Sequence, residues 1–462
     1  MKSLFLGICM FALGIQSAGA QVFDDVDAVP DELAAKPALK DPWSVSFDAM
    51  GNEQVYGPSE SIEGSELKEL NVDVQLRTRG EYRNGWGTLR SKGANPAWFV
   101  NERARLNLNY RQQYLSVRVS AQHAGVWGDT DIENKSGSIN LNEAWARVQS
   151  KQGLFVQAGR QIISYDDERI FGAEDWTSTG ISHDAVRFGL DTRLHKVHGI
   201  VSFSQTSEKS MGGTYYNGPV PYKHMQALWY HFGDDSTPFQ ASLLGVNQGV
   251  ENSLLATQPS TIYTQTVGAW LQYRPGKFYV KGEGYYQMGE DETDHRVNAY
   301  TAAFHAGFQP KSWGVEVGAD YLSGATEKGE KTRNFTMLYG STHDFFGAMD
   351  YFTNENKLLC GLLDVNMKAN WRPNRNLFID LGYHYLMTGV KVPGLHRQMG
   401  NEVDLHLAWE MTKDATLHAG YSVMMATSVM RMLKGGQNKS WQDWAWVSLE
   451  VSPRILTQFF RR

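Results

Sequence analysis

From residue 69 onward the chain alternates apolar and polar residues with a period of two, and the pattern recurs to the end of the sequence. A β-strand with one face in an apolar medium and the other in a polar one repeats in this way. The first such strand, "NVDVQLRTRGEYR" from Asn71, sets Val72, Val74, Leu76 and Tyr82 on one face and Arg77, Arg79 and Arg83 on the other. The next, "AWFVNERARLNLNYR", puts Trp98, Val100, Ala104, Leu106, Leu108 and Tyr110 in one row, broken by Glu102. Its second row carries Arg103, Arg105 and Arg111 among asparagines. About eighteen segments of this kind, each near ten residues, can be traced.

The spacers between them alternate short and long. Short ones are "QQY" after Arg111, "SKQG" at 150, "TRLHK" at 192, "DDSTP" at 234, "RPGK" at 274, "QPKS" at 309, "RPNRN" at 372 and "TKD" at 412. Short turns on one side and long loops on the other, with an even strand number, predict an all-β fold, a transmembrane antiparallel up-and-down barrel. The aromatic pairs Trp98/Tyr110 and Tyr263/Tyr273 lie ten to twelve residues apart in outward rows. At about 3.3 Å per residue and a tilt near 40° they span roughly 25 to 30 Å, the height of an apolar belt with an aromatic girdle at each edge. A soluble propeller or β-helix predicts neither feature.

The ends set the compartment. Lys2, the run "LFLGICMFALGI" and Ala18-Gly19-Ala20 read as a signal peptide over residues 1–20. Removing it takes Lys2 away, so the net charge of −6 becomes about −7. Cys9 leaves with it, so Cys360 has no partner for an intrachain disulfide. Residues 21–68 are acidic, proline-bearing and aperiodic, and are expected to be a flexible leader, a place for periplasmic partners to bind. The barrel is expected over 69–462. Beyond the signal no run of eighteen apolar residues occurs, which excludes helical spans.

An arginine facing lipid at the membrane midplane costs roughly 2 to 4 kcal/mol. Three on one strand and three on its neighbour must therefore face the lumen, joined by Arg118 on the third strand. This wall is relieved only by Asp73 and Glu81. Inward rows of later strands hold Glu316, Asp320, Asp364, Asp380, Glu402 and Asp404 with Lys368, Arg372, His384 and His406, so the lumen is polarised. An eighteen-stranded barrel leaves an aqueous channel in which such charges stay hydrated. A ladder of guanidinium groups suits a carboxylate-bearing solute. Arg187 and Lys281 extend the ladder. The competing reading is that the arginines pair with acids and brace the wall.

Residues 158–188, "AGRQIISYDDERIFGAEDWTSTGISHDAVRF", resemble the alginate export family of outer-membrane β-barrels. The likeness runs through Gly159-Arg160-Gln161, Tyr165, Glu168-Arg169, Gly172, Trp176 and Asp184-Ala185-Val186-Arg187. It continues in "MLYGSTHDFFGAMDYF" from Met337 and "GNEVDLHLAWEMTKDATLHAGYSVM" from Gly400. The chain departs from the family pattern at Ile181, where an arginine is expected, and in ending "ILTQFFRR". The resemblance implies an eighteen-stranded channel in the bacterial outer membrane that passes an anionic uronate polysaccharide, or a related anionic solute, without a cofactor. Arg160 joins the lumen path if a bulge after Gly159 turns it inward. Asp166, Glu168 and Arg169 fall in a long loop at the mouth, with Glu168 and Arg169 a bracing ion pair or solute contacts.

The chain has no G-x-S-x-G, H-E-x-x-H or P-loop and no metal-like histidine cluster, so neither catalysis nor a metal is expected. His183-Asp184, His384 and His406 could be drawn into a triad only on paper. With an acidic balance no nucleic-acid partner is expected. The partners are outer-membrane lipid and a small anionic solute or saccharide, which diffuses passively. The alternative is a general porin for small sugars or ions with self-paired lumen charges; a third is a scaffold with a sealed lumen.

Overall fold

A computed structural model describes residues 45–47, 53–55, 68–130, 139–212, 215–252, 260–327, 329–439 and 441–460. The expected signal peptide and most of the expected leader lie outside them. Val45–Phe47 and Glu53–Val55 pair as a two-stranded antiparallel sheet.

Among the described residues eighteen strands form one closed antiparallel barrel. They are β1 (Lys68–Asn84), β2 (Ala97–Gln112), β3 (Leu115–Val126), β4 (Asn140–Gln149), β5 (Leu154–Gln161) and β6 (His183–Asp191). Next come β7 (His195–Phe203), β8 (His224–Phe232), β9 (Phe239–Glu251), β10 (Thr261–Tyr273), β11 (Phe278–Glu290) and β12 (Arg296–Phe308). The circle ends with β13 (Trp313–Leu322), β14 (Leu362–Asn374), β15 (Leu377–Thr388), β16 (Gln398–Thr412), β17 (Ala415–Ala426) and β18. β18 closes it in two parts, Gln442–Val451 against the upper half of β1 and Arg454–Phe460 against its lower half. The break falls at Pro453, which has no N–H to give a ladder and whose carbonyl accepts from Val74 N at 3.1 Å.

Every expected short connector is a tight turn and every long one a loop on the other side, so the first and last strands both end on the short-turn side. The outward rows are mostly apolar and exposed, with Leu228, Phe304, Val317 and Met367 between girdles that include Trp98, Tyr263, Tyr273, Trp371 and Trp409. A closed barrel with such a belt satisfies every backbone group while facing lipid, the solution used in bacterial outer membranes. No described helix is long and apolar enough to cross a membrane.

The lumen is where expectation and structure part. It is not a water-filled tube, because two long loops fold into it and pack together. The loop after β5 contributes Ile163, Tyr165, Ile170 and Phe171; the loop after β13 contributes Phe335, Met337, Tyr339, Phe346 and Met349. They meet as a short parallel pairing, Gly172 N donating to Tyr339 O at 2.9 Å and Tyr339 N to Ile170 O at 3.1 Å. Gly340 is required there, since a Cβ would lie 2.1 Å from Arg169 O. Removing these apolar side chains from water at about 25 cal/mol per Å² is what pulls the loops inward.

Candidate functional site in the barrel lumen

The alternation places Arg77, Arg79, Arg83, Arg103, Arg105, Arg111, Arg118, Arg187 and Lys281 inside the barrel, as expected. Their environment differs from the hydrated ladder. Arg103 and Arg105 are 2 % and 5 % exposed. The loop residue Asp175 lies across them, taking a two-pronged contact from Arg103 (Nη1–Oδ1 2.5 Å, Nη2–Oδ2 2.9 Å) and another from Arg105 (2.8 Å). Arg77 Nη1 stands 3.7 Å from the same carboxylate and donates to the backbone carbonyl of Asp175 (2.6 Å), while Nη2 donates to that of Thr177 (2.5 Å). Arg79 donates to Trp176 O at 2.8 Å and lies 3.9 Å over the Trp176 ring. Burial works against the Asp175 charge, but Arg103, Arg105 and Arg77 outweigh it and hold the carboxyl well below its ordinary range.

The rest of the wall is also relieved by more acids than the sequence suggested. Glu81 accepts from Arg79 Nε (2.9 Å), Arg83 Nε (2.8 Å) and Trp444 Nε1 (3.1 Å). Arg118 is bonded to Glu143 on β4. Arg187 donates to Gln157 at 3.0 Å, and Lys281 meets Glu316 at 3.0 Å. Arg111 is buried. Among the described residues, Arg77, Arg79, Arg83, Arg103 and Arg105 meet the carboxylates of Glu81 and Asp175.

Arg160 is a correction. It belongs to the outward row of β5, with Leu154 and Val156, and no bulge turns it inward. It pairs on the outer face with Asp184 at 2.9 Å. The same parity sends His183 inward and Asp184 outward, which dissolves the triad drawn from the sequence. Glu168 and Arg169 are a second correction, since they do not pair with each other. Glu168 accepts from Ser164 Oγ (2.6 Å), Ala173 N (3.0 Å) and Ser341 Oγ, stitching the two loops together. Arg169 crosses to the acidic wall, bonding Glu283 on β11 and Asp320 on β13 (2.6 Å). Asp166 is buried against Trp229 Nε1 (3.2 Å) and Ser242 Oγ instead of facing the mouth.

The loop after β5 therefore bridges the lumen with both charges. Asp175 is seated in the basic wall, Arg169 in the acidic wall, six residues apart. Beside it lies a cavity of about 240 Å³. Its lining includes Arg77 and Arg79 on one side, Asp380 and Asp404 on the other, and the Trp176 and Trp446 rings between. Among the described residues no group of three or more His, Cys, Asp or Glu could hold a metal.

Three loop carboxyls give the bridge a pH dependence. Burial pushes Asp166, Glu174 and Asp344 up to about 7. In the unfolded chain such groups titrate near 4. Their protonated form favours the docked loop, so the stabilisation is full below about pH 4 and is lost as pH rises through about 7. A spin label at Ser178, in a Cys360→Ser background, is expected to be immobile at pH 5 and clearly more mobile at pH 8. Unchanged spectra across that window would contradict this assignment.

No family model matches the chain, the alginate export family included, and no curated protein matches it. Solved structures do resemble it. OccAB1 of Acinetobacter baumannii aligns over 84 % of this chain and 97 % of its own, with TM-score 0.58 and 11 % identity. OccK2 (OpdF) of Pseudomonas aeruginosa, solved in complex with glucuronate, covers 84 % and 98 % with TM-score 0.57 and 8 % identity. A BenF-like porin from Pseudomonas fluorescens covers 84 % and 99 % with TM-score 0.56 and 10 % identity. The fold of this chain is that of these porins.

Proposed function

We propose that the chain is a passive outer-membrane channel for small solutes, and that monomeric sugar acids of the uronate type are the class it takes best. The carrying observation is the two-signed cavity. Arg77 and Arg79 offer donors to a carboxylate, Asp380 and Asp404 offer acceptors to hydroxyls, and the Trp446 ring offers an apolar plate to the sugar's C–H face. A small inorganic anion gains only the first of these. A cavity of about 240 Å³ beside the infolded loops matches the scale of one sugar ring, which supports a monomer over a polymer. The glucuronate bound to OccK2, a porin of the same fold, supports this reading.

A second reading, a general porin with self-paired lumen charges, draws support from the pairing of Arg103, Arg105, Arg118 and Arg169 with acids. Uptake into proteoliposomes separates the two. Glucuronate is expected to enter several-fold faster than glucose, and Arg77→Gln with Arg79→Gln to bring the two rates together. Equal rates in the unaltered chain would leave the general porin as the correct reading.

A further inference from the structure

The outward face of the barrel is not uniform. On β5 and β6 it carries the Arg160–Asp184 pair, 39 % and 65 % exposed. On β8, β9 and β10 it carries Gln226, Asn247 and Gln265, directly opposite one another in register. Asn247 Nδ2 donates to Gln226 Oε1 at 2.7 Å, and Gln265 Nε2 to Asn247 Oδ1 at 2.8 Å. Between the aromatic girdles of β11–β18, by contrast, the described outward residues include no charged side chain, and Phe304, Val317, Val365 and Leu381 stand there.

These polar groups lie within the membrane belt. Arg160 is six residues above Leu154 at the short-turn end of β5, about 15 Å at 3.3 Å per residue and a 40° tilt, inside a belt of about 25 Å. Gln226 is likewise six residues above Phe232 on β8. The wall is also low here, with β5 to β8 only eight or nine residues long. Beside Asp184 and Gln226 the surface is recessed, a dent of about 630 Å³ with Gly159, Val201 and Phe203 at its edge.

We infer that the outward wall of β5–β10 is a membrane-embedded contact surface for a second copy of this chain. Lipid tails offer these groups no hydrogen bonds, and an anionic headgroup matches a patch of one sign. This patch has one cation, one anion, the His224 imidazole and three amides that both donate and accept. Such a patch is complementary to itself, as a surface shared by two identical barrels must be. The inference is independent of the solute.

Two measurements test it on the full chain. In a Cys360→Ser background, Val201→Cys is expected to give a disulfide-linked dimer in native membranes, several-fold more than Val317→Cys on the opposite wall. Sedimentation in mild detergent is expected to show at least two chains per particle. Gln226→Leu, Asn247→Leu and Gln265→Leu together should reduce it to one chain while conductance persists. Equal cross-linking at both positions, a single barrel retaining a tightly bound glycolipid, or an association unmoved by the triple substitution would each overturn the proposal.

Discussion

Asp175→Ala is expected to raise single-channel conductance several-fold and to shift the channel toward anions. Asp175 is a loop carboxylate that Arg103 and Arg105 contact and that Arg77 approaches at 3.7 Å. Removing one partner of a buried ion pair costs roughly 3 to 5 kcal/mol, because the charges left behind keep their desolvation penalty. Here the burden falls on guanidiniums that water can rehydrate only if the loop swings away. The loop's other holds on that wall, which include the Arg77 and Arg79 bonds to the carbonyls of residues 175–177 and the Arg105 and Gln122 bonds to Thr179 O, are single hydrogen bonds to neutral carbonyls, each weaker than the bidentate clamp. Asp175→Asn keeps the shape and one acceptor, and should give a smaller change of the same sign. Conductance and reversal potential indistinguishable from the unaltered protein would show that Asp175 does not hold the loop.

Arg169→Leu is expected to destabilise the folded barrel by roughly 3 to 5 kcal/mol, leaving Glu283 buried without this cation and Asp320 with one cationic partner fewer beside His305. Burial alone would disfavour the Arg169 charge, but Glu283 and Asp320 more than offset it and hold its pKa above the ordinary value. Adding Glu283→Gln and Asp320→Asn should restore most of the loss, since a buried charged group replaced as a whole is often neutral. Urea unfolding followed by the shift between folded and heat-denatured forms on a gel measures each variant. A triple variant as unstable as Arg169→Leu would mean that stacking of the guanidinium on the Phe345 ring, 4.1 Å from its carbon to the ring centroid, carries the effect.

The sequence displays the wall of this molecule well and its interior poorly, for a physical reason. A strand between lipid and lumen must alternate, so Leu106 and Leu108 outside and Arg103 and Arg105 inside are legible from spacing alone. The same parity placed Arg160 outward, and reading it inward through a bulge let a motif overrule the period. The loops obey no period. What marks them is apolar content where a solvent loop has little use for it, as in "IISY", "RIF" and "FTMLYG". That signal shows that these loops are buried without showing where.

Asp175 left no mark at all, being one acid in "GAEDW", and its role depends on a fold-back that brings it beside residues 72 positions away on the chain. The polarised lumen was legible as two sets of charges. That a single loop carries the matching charge to each set was not.

In the proposed function a solute with both a carboxylate and hydroxyls is held in passing between the two charged sides of one lumen. Current through a single channel in a planar bilayer, with glucuronate added to one side, tests it most directly. Brief interruptions that grow more frequent with glucuronate, do not occur with glucose and vanish in the Arg77→Gln, Arg79→Gln variant are the predicted result. A bilayer that never conducts, or a current that ignores glucuronate, would contradict it.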